Sequence, residues 1–588
     1  MAANDDVFIR ACSVAELEAK QSHVIRAANR PVVVFYNAGK PAAVDNRCPH
    51  MGFPLAKGSC KDGMITCHWH HARFDAASGC TYDFFAGDVE PYDVEIRDGD
   101  VYVAAHPRQR DRAAHAQRQL REGMERSSSL NIAKAILSLR SAGTSPDQII
   151  REALRFGTQF RDSFSSGMVL LTAAANVLRH LDEETAYLAL FKGISQIASD
   201  CSGQTPRRRR YPLETADTST DELGRLLRYW TITRHRDGAE RTLLTAAQNH
   251  REPRTLSNLL FAAASERFYA DNGHLLDFAN KAAEALDLIG WDHAQEVLPA
   301  LMSPLTSSRG EEEFNAWRHP IDLVPLVRET SDRLPHLGAA QRAAHLTVWN
   351  DEATLTEELL RDDPGAILTA ITTAIESGAT GDQLGKCLAL AAAVRVARFA
   401  TSNEHGDWLT ALHTFTYCNA VHQALLRTDD PLVLRAVLHG AMSVYQDRFL
   451  NVPPAKLPGE RGSLDDLPRD PRELLNAFLE TLDTQQQVEP AAKLVARYLE
   501  LDHDPQPLLN TLAFAVVRED VDFHAMQMVE AAIRQYHAWN GSPQAKIFLI
   551  AAARYLAAHS PTQRAALQTA RIALRLHRGE KLYEEDEA

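Results

Sequence analysis

Hydrophobic positions follow two different periodicities along the chain, and the change falls near residue 105. Before it, short apolar runs lie between turn formers, as in PVVVFY, PAAVDN, MITC and CTYD, and the Asp98 and Gly99 turn joins YDVEI to VYVAA. Short runs rich in β-branched and aromatic residues, joined by tight turns, are typical of β-hairpins. The first hundred residues therefore predict a small all-β unit.

From about Ala113 onward, apolar residues recur at spacings of three and four, as in NIAKAILSLRSAG and AAKLVARYLELD. This spacing predicts amphipathic helices. The polar stretch HPRQRDRAAHAQRQLREG between the two patterns predicts a connecting segment. We expect a multidomain protein with a small all-β domain at 1–107, a linker at 108–125 and a large all-α helical array at 126–588.

Composition and charge limit the classes of partner that we expect for this protein. The chain has 588 residues, a formal net charge of -14 and a pI near 5.9. It lacks the excess of Lys and Arg that neutralises phosphates, which argues against nucleic-acid binding. It also lacks a run of about eighteen apolar residues, and MAANDDVFIR has neither the basic start nor the apolar run of a secretory signal. We therefore expect a cytoplasmic protein with neither nucleic-acid nor membrane partners.

Cysteine spacing indicates a metal site. Four of the eight cysteines lie within residues 48–80, which favours metal ligation over a disulfide framework. Cys48-x-His50 is followed, after sixteen residues, by Cys67-x-x-His70. Two loops that each present one thiolate and one imidazole suit a [2Fe-2S] cluster in which two histidines replace two cysteines on one iron. Zinc is the alternative, although zinc fingers pair CxxC with HxxxH in a ββα unit.

With these motifs the N-terminal hundred residues resemble the Rieske ferredoxin family, found as electron carriers and as N-terminal domains of oxygenases. The resemblance covers both ligand loops, their spacing, the β context and the RFD run that follows the second loop. It implies that Cys48 and Cys67 hold one iron of the cluster, while His50 and His70 hold the other.

Other residues of the loops fall outside this ligand set. His68 and His71 are either ordinary loop residues, or His71 mediates proton-coupled electron transfer. Respiratory-chain members of the family carry an additional cysteine in each loop, and Phe53 stands where the first would be. The resemblance therefore implies a lower-potential, ferredoxin-like cluster, and Cys60 and Cys80 are interpreted as ordinary small residues.

The helical part contains a repeated pattern. His274 in HLLDFANKAAEAL and His413 in HTFTYCNAVHQAL align without a gap, and a looser copy begins at His524 in HAMQMVEAAIRQY. Equivalent helices of a duplicated array would bring the three histidines to one metal ion, which we expect to be iron. In the alternative interpretation, each histidine is a hydrogen-bonded cap of a packed repeat. The two-histidine, one-carboxylate domain of the usual ring-hydroxylating oxygenases is not found in this sequence.

The pieces LALFKGISQIASDC, HTFTYCNAVHQAL and REDVDFHAMQMVEAAIRQY resemble the questin oxidase-like family. These are all-helical oxygenases associated with oxidative opening of anthraquinone-type rings. The resemblance implies an iron held by several histidines and a carboxylated lysine. Two lysines are candidates for that role: Lys281, two turns after His274, and Lys192, which stands where a family histidine is expected.

We predict an oxidoreductase in which the N-terminal cluster passes electrons to a helical, metal-dependent mono- or dioxygenase domain. Its substrates would be O2 and a hydrophobic aromatic or polyketide-like molecule, and no catalytic residue is assigned. Because the chain has no nucleotide fingerprint, P-loop or GxSxG elbow, we expect an external reductase or ferredoxin reductase to supply the electrons. The alternatives are a redox-sensing Rieske domain fused to a helical binding or scaffold domain, and a pure electron carrier with a docking domain.

Overall fold

The computed structural model describes residues 7–37, 39–83, 85–108, 111–214, 218–343, 349–460, 462–580 and 582, and in 338–343 it describes the backbone alone. The chain forms two compact units. One comprises residues 1–149 and 565–588, and the other comprises residues 150–564. The predicted helical region 126–588 is thus divided between two units.

The strands belong to the first unit and form two antiparallel sheets. In chain order they are β1 (Phe8–Ser13), β2 (Ser22–Ala27), β3 (Arg30–Phe35), β4 (Ala42–Asp45), β5 (Ser59–Lys61), β6 (Met64–Thr66), β7 (Arg73–Asp75), β8 (Pro91–Arg97) and β9 (Asp100–Pro107). The larger sheet has the order β1-β9-β8-β4-β3-β2, and the smaller has the order β5-β6-β7. This all-β part, followed by helices, confirms the predicted fold class.

Strand β3 separates two apolar cores. Val32 and Val34 pack into one buried cluster, while Val33 and Phe35 pack into another that also contains Cys48 and other residues of the candidate ligand loops. Side chains of a strand alternate between its two faces, so a strand covered on both sides is apolar throughout. This explains the unbroken run PVVVF and places the ligand loops over a packed core.

One predicted strand is absent from the described structure. CTYD, residues 80–83, forms only an isolated bridge between Phe74 and Thr81. Side chains take the backbone donors there, because Asp83 accepts from the amide N–H of Arg73 at 2.7 Å and Asp88 accepts from that of Thr81 at 2.8 Å. Local side-chain bonds of this kind compete with a sheet ladder.

Helices make up most of the chain. The first twelve are α1 (Val14–Lys20), α2 (Arg112–Glu125), α3 (Ser129–Ser141), α4 (Pro146–Phe160), α5 (Ser166–Val177), α6 (Glu183–Cys201), α7 (Thr220–Thr233), α8 (Arg236–Asn249), α9 (Pro253–Ala264), α10 (His274–Ile289), α11 (Ala294–Val297) and α12 (Met302–Ser307). The others are α13 (Leu323–Ala343), α14 (Glu352–Leu359), α15 (Pro364–Glu376), α16 (Gly381–Ala397), α17 (His405–Arg427), α18 (Arg435–Asp447), α19 (Pro471–Thr481), α20 (Val488–Glu500), α21 (Pro505–Val517), α22 (Phe523–Ala538), α23 (Ala545–His559) and α24 (Ala565–His577). Among the described residues, no helix is both long and apolar enough to cross a membrane.

The stretch 108–125, predicted as a linker, contains α2. Ala116, Leu120 and Met124 are buried at spacings of four on one face of this helix, which packs against α3. Gly123 permits a close approach, because a Cβ at this position would lie 3.2 Å from the amide nitrogen of Ile132. Helices α2, α3 and α24 therefore belong to the same compact unit as the β domain.

Three helices of the second unit carry the histidines singled out in the sequence. Helix α10 begins at His274 directly after Gly273, whose φ is +85°. Helix α22 is capped by Asp522, whose carboxylate accepts from the amide N–H of His524 at 3.1 Å. Helix α17 contacts both α10 and α22 and carries His413 in its middle. This packing sets the position of the candidate site in the second unit.

Candidate metal centres

The loops that carry the CxH and CxxH motifs have the same backbone arrangement. The amide N–H groups of Cys48 and Cys67 each donate to the carbonyl oxygen five residues further on, at 2.8 Å in both loops. The residue four positions after each cysteine has a positive φ, +82° at Gly52 and +62° at His71. His71 therefore occupies the left-handed position that a glycine fills in the other loop.

The four predicted donor side chains lie in these loops as a pair of thiols and a pair of imidazoles. The thiols of Cys48 and Cys67 are buried and hydrogen-bonded to each other, which raises the pKa of Cys48 and lowers that of Cys67 to about 6. The ring centroids of His50 and His70 lie 4.8 Å apart. The thiols are covered by the apolar core, whereas His70 is exposed.

The first histidine has the environment expected of a metal ligand. Nδ1 of His50 is buried and has no hydrogen-bond partner in the part of the chain that the structure describes. Burial, followed by the charges of His70 and Lys134, lowers the pKa of His50 to about 4. A buried, neutral ring nitrogen without a partner, in the loop that also presents the Cys48 thiol, fits a metal ligand better than a structural histidine. His68, in contrast, has its Nε2 3.1 Å from Ser59 Oγ.

A lysine outside the β domain reaches the first ligand loop. Lys134 lies on α3, and its ammonium donates to the carbonyl oxygen of Pro49 and, at 3.4 Å, to that of His50. Burial lowers the pKa of Lys134 to about 8. Sequence reasoning missed this residue, because nothing in the motif points to a contact 84 positions away.

Comparison with known proteins assigns the β domain. Residues 7–89 match the family model of the Rieske [2Fe-2S] domain. This segment is a Rieske domain. Two thiols and two imidazoles on paired loops are the donor set that a Rieske cluster requires, so the geometry and the family match agree.

The similarity to individual proteins is confined to the Rieske domain. The chain is 33% identical over 102 residues to apoptosis-inducing factor 3 of Homo sapiens, covering 17% of each chain. It is 41% identical over 54 residues to the aminopyrrolnitrin oxygenase PrnD of Pseudomonas fluorescens, covering 9% of this chain and 15% of that one. The chain therefore spans less than a fifth of these curated relatives.

A solved structure with a similar segment is the ferredoxin of carbazole 1,9a-dioxygenase from Nocardioides aromaticivorans IC177. It is 23% identical, with a TM-score of 0.16, and the match covers 17% of this chain and 97% of that chain.

The three histidines of the helical unit meet at one point. His524 Nε2 lies 3.0 Å from His413 Nε2 and 3.3 Å from His274 Nε2, and the three ligand atoms lie within 4.8 Å of one another. Nitrogens bound to one metal at about 2.1 Å, with angles of about 90° to 110°, lie about 3.0–3.4 Å apart. Two of the nitrogen pairs have this spacing.

The protonation and orientation of these imidazoles suit metal binding. Burial, followed by the other two imidazoles, lowers the pKa of His413 to about 2, and burial also lowers that of His274. Both rings are therefore neutral at pH 7. Nδ1 of His524 lies 2.8 Å from the Asp522 carboxylate, which directs Nε2 of that ring toward the other two histidines.

Beyond the histidines, toward the C-terminal ends of α10 and α22, side chains of the two helices form a buried polar ladder. It consists of three pairs, Asp277 with Gln527 at 2.7 Å, Lys281 with Glu530 at 2.7 Å, and Glu284 with Arg534. Every pair is separated by 249 or 250 positions in sequence, which shows that the two helices run parallel. Burial raises the pKa of Asp277 to about 7.

Both candidate lysines have hydrogen-bond partners within the protein. Lys281 Nζ lies 2.9 Å from Glu284 Oε2 and 2.7 Å from Glu530 Oε2. Burial alone would lower the pKa of Lys281, but these two carboxylates raise it on balance. The ammonium of Lys192 donates to the carbonyl oxygen of Glu519, and burial lowers its pKa to about 8. Helix spacing indicates Glu284, three positions after Lys281 on α10, as a partner. No local sequence pattern indicates Glu530, which lies on α22.

Proposed function

We propose that this chain is a Rieske-type oxidoreductase with two metal centres, in which the unit at 150–564 is an oxygenase. Cys48, His50, Cys67 and His70 would hold the [2Fe-2S] cluster, which supplies one-electron transfer when bound. His274, His413 and His524 would hold a second metal. The observation that carries this proposal is the convergence of three Nε2 atoms, two pairs of them at 3.0 and 3.3 Å.

Iron is the metal proposed for the second centre. Three imidazole ligands suit iron, copper, nickel or zinc, and they leave coordination positions open. A one-electron donor in the same chain requires a redox-active acceptor, which excludes zinc as the working metal. Two features of the chain would position the ligands. Asp522 orients His524, and the side chains of the ladder link α10 to α22 so that His274 and His524 stay in register.

The proposed substrates are O2 and a hydrophobic aromatic or polyketide-like molecule, with electrons from an external reductase. PrnD, a relative named as an oxygenase, supports an oxygenase role, although its similarity is confined to the Rieske domain. The resemblance to the questin oxidase-like family stays a prediction. Lys281 and Lys192 are left out of the proposed ligand set, because the first is paired with two carboxylates and the second with a backbone carbonyl.

Metal counting tests the proposal. The full chain, purified without oxygen and reconstituted with iron and sulfide, should contain three irons and show the rhombic electron-spin signal of a Rieske cluster. His413→Ala should contain two irons, with that signal unchanged, and should lose reductase-dependent oxygen consumption. His439→Phe is the matched control, because His439 is a buried histidine outside the cluster of three. Two irons and no other metal in the wild type would reject the oxygenase and favour the scaffold alternative.

A further inference from the structure

The first ligand loop of the Rieske domain is contacted by a cation from a helix beyond that domain. The ammonium of Lys134, on α3, donates to the carbonyl oxygen of Pro49 and lies 3.4 Å from that of His50. Both acceptors belong to the loop that presents Cys48 and His50. The family match ends at residue 89, so Lys134 lies outside the matched segment.

Among the described residues, the charge of Lys134 is paired with no carboxylate, and the group whose negative charge acts on it is the thiol of Cys48. Its acceptors are backbone carbonyls. The side chain is partly buried between α3 and the loop. A charge in such a place is screened less than one in water, and its field acts on its surroundings at longer range.

We propose that Lys134 is a positioning residue that raises the reduction potential of the Rieske cluster. One-electron reduction by the external reductase would change one ferric ion of the bound cluster to ferrous and add one negative charge to the cluster. A fixed positive charge beside the ligand loop stabilises the form with the additional negative charge. Net charge and hydrogen bonding near the ligands are the means by which proteins tune such clusters.

The competing role for Lys134 is purely structural, in which it only holds the loop. Three substitutions separate charge from contact. Lys134→Gln keeps hydrogen-bond donors without the charge, Lys134→Arg keeps the charge, and Lys134→Met removes both. Lys20→Gln is the control, because Lys20 is exposed in the same unit and paired with Glu16 at 2.9 Å.

The measurement is a dithionite titration of the full-length, cluster-loaded chain at pH 7, with the rhombic electron-spin signal followed at each set potential. We expect Lys134→Gln and Lys134→Met to lower the ratio of reduced to oxidised cluster about tenfold at a given potential, a shift of about 59 mV for one electron. Lys134→Arg and Lys20→Gln should stay at the wild-type midpoint.

Two results would overturn the proposal. Wild-type midpoints in both Lys134→Gln and Lys134→Met would show that the lysine only supports the loop. Loss of the cluster in all three variants would assign Lys134 to cluster assembly instead. The inference rests on the cluster ligands proposed above, and a wild-type chain without the rhombic signal would reject that assignment itself.

Discussion

The two candidate centres differ in what holds their ligands. In the Rieske domain, each loop supplies a thiol and an imidazole two or three positions apart, and backbone bonds close the loop at 2.8 Å. In the helical unit, each ligand comes from a different helix. His524 lies 111 positions after His413 and 250 positions after His274. Backbone conformation shapes the first centre, whereas packed side chains with buried charges align the second.

This difference predicts different sensitivities. A centre formed by loop backbone should tolerate changes in side chains that are not ligands, provided that they accept the local φ. A centre aligned by a buried ionic ladder should fail when one charge of the ladder is removed, even though that residue binds no metal.

Removing Lys281 should have the largest effect. Lys281→Met leaves Glu284 and Glu530 buried with Arg534 as their remaining cation, and breaking a buried ion pair costs about 3–5 kcal/mol. Urea unfolding followed by far-ultraviolet circular dichroism measures this loss. Arg155→Met removes an exposed pair with Glu296 and should cost less than about 1 kcal/mol.

The double variant Lys281→Met with Glu530→Met sharpens this result. It removes one cation and one anion together and leaves Glu284 paired with Arg534, so it should regain part of the stability lost in Lys281→Met. Equal losses in Lys281→Met and Arg155→Met would show that the ladder does not stabilise the helical unit.

A buried histidine in the helical core, His439, should make the stability of the protein sensitive to acid. His439 is fully buried, neither ring nitrogen has a partner among the described residues, and burial lowers its pKa to about 3. The unfolded chain binds a proton at this residue below about pH 6.5, whereas the folded chain does not until about pH 3. The stability that His439 contributes is therefore present above pH 6.5 and is lost as the pH falls toward 3.

His439→Phe should remove this acid sensitivity. Between pH 7 and pH 5 the wild type should lose about 2 kcal/mol more stability than the variant, measured by urea unfolding at both values. Metal content should be the same in both proteins, which distinguishes a packed histidine from the three that converge. Parallel losses in the two proteins would contradict the prediction.

The contrast between the two centres also explains how much of each could be predicted from the sequence. The Rieske ligand loops were recognisable because Cys48, His50, Cys67 and His70 lie in two short motifs. The convergence of His274 with the other two histidines was suggested by an internal repeat. The pairing of Lys281 with Glu530 was not, because the two residues lie 249 positions apart and only packing brings them together. CTYD was predicted as a strand because its residue pattern is that of a strand. The pattern does not show that side chains accept hydrogen bonds from the backbone N–H groups there.

Removing the charge of Asp522, the residue that orients His524, should have a smaller effect on the second centre. Asp522→Asn keeps an acceptor for the amide N–H of His524 and removes the carboxylate that lies 2.8 Å from Nδ1. Because this carboxylate is largely exposed, we expect the affinity for a metal to fall about tenfold, the lower end for such residues. Titration of the iron-free protein with Co(II), followed by visible absorption, measures it, with the exposed Asp221→Asn as control. Unchanged affinity would show that His524 is held by packing alone.

The smallest effect is expected at His71, where the local structure of the first centre depends on backbone conformation. His71 has a φ of +62° in the position that Gly52 fills in the other loop, so His71→Gly should preserve the cluster and change stability by less than about 1 kcal/mol. His71→Val should destabilise the loop by about 1 kcal/mol or more, because a β-branched side chain tolerates a positive φ poorly. Thermal loss of the rhombic signal compares the variants. If His71→Gly instead removed a pH dependence of the cluster midpoint, the imidazole itself would take part in electron transfer, and the hypothesis of proton coupling through His71 would be favoured over a backbone role.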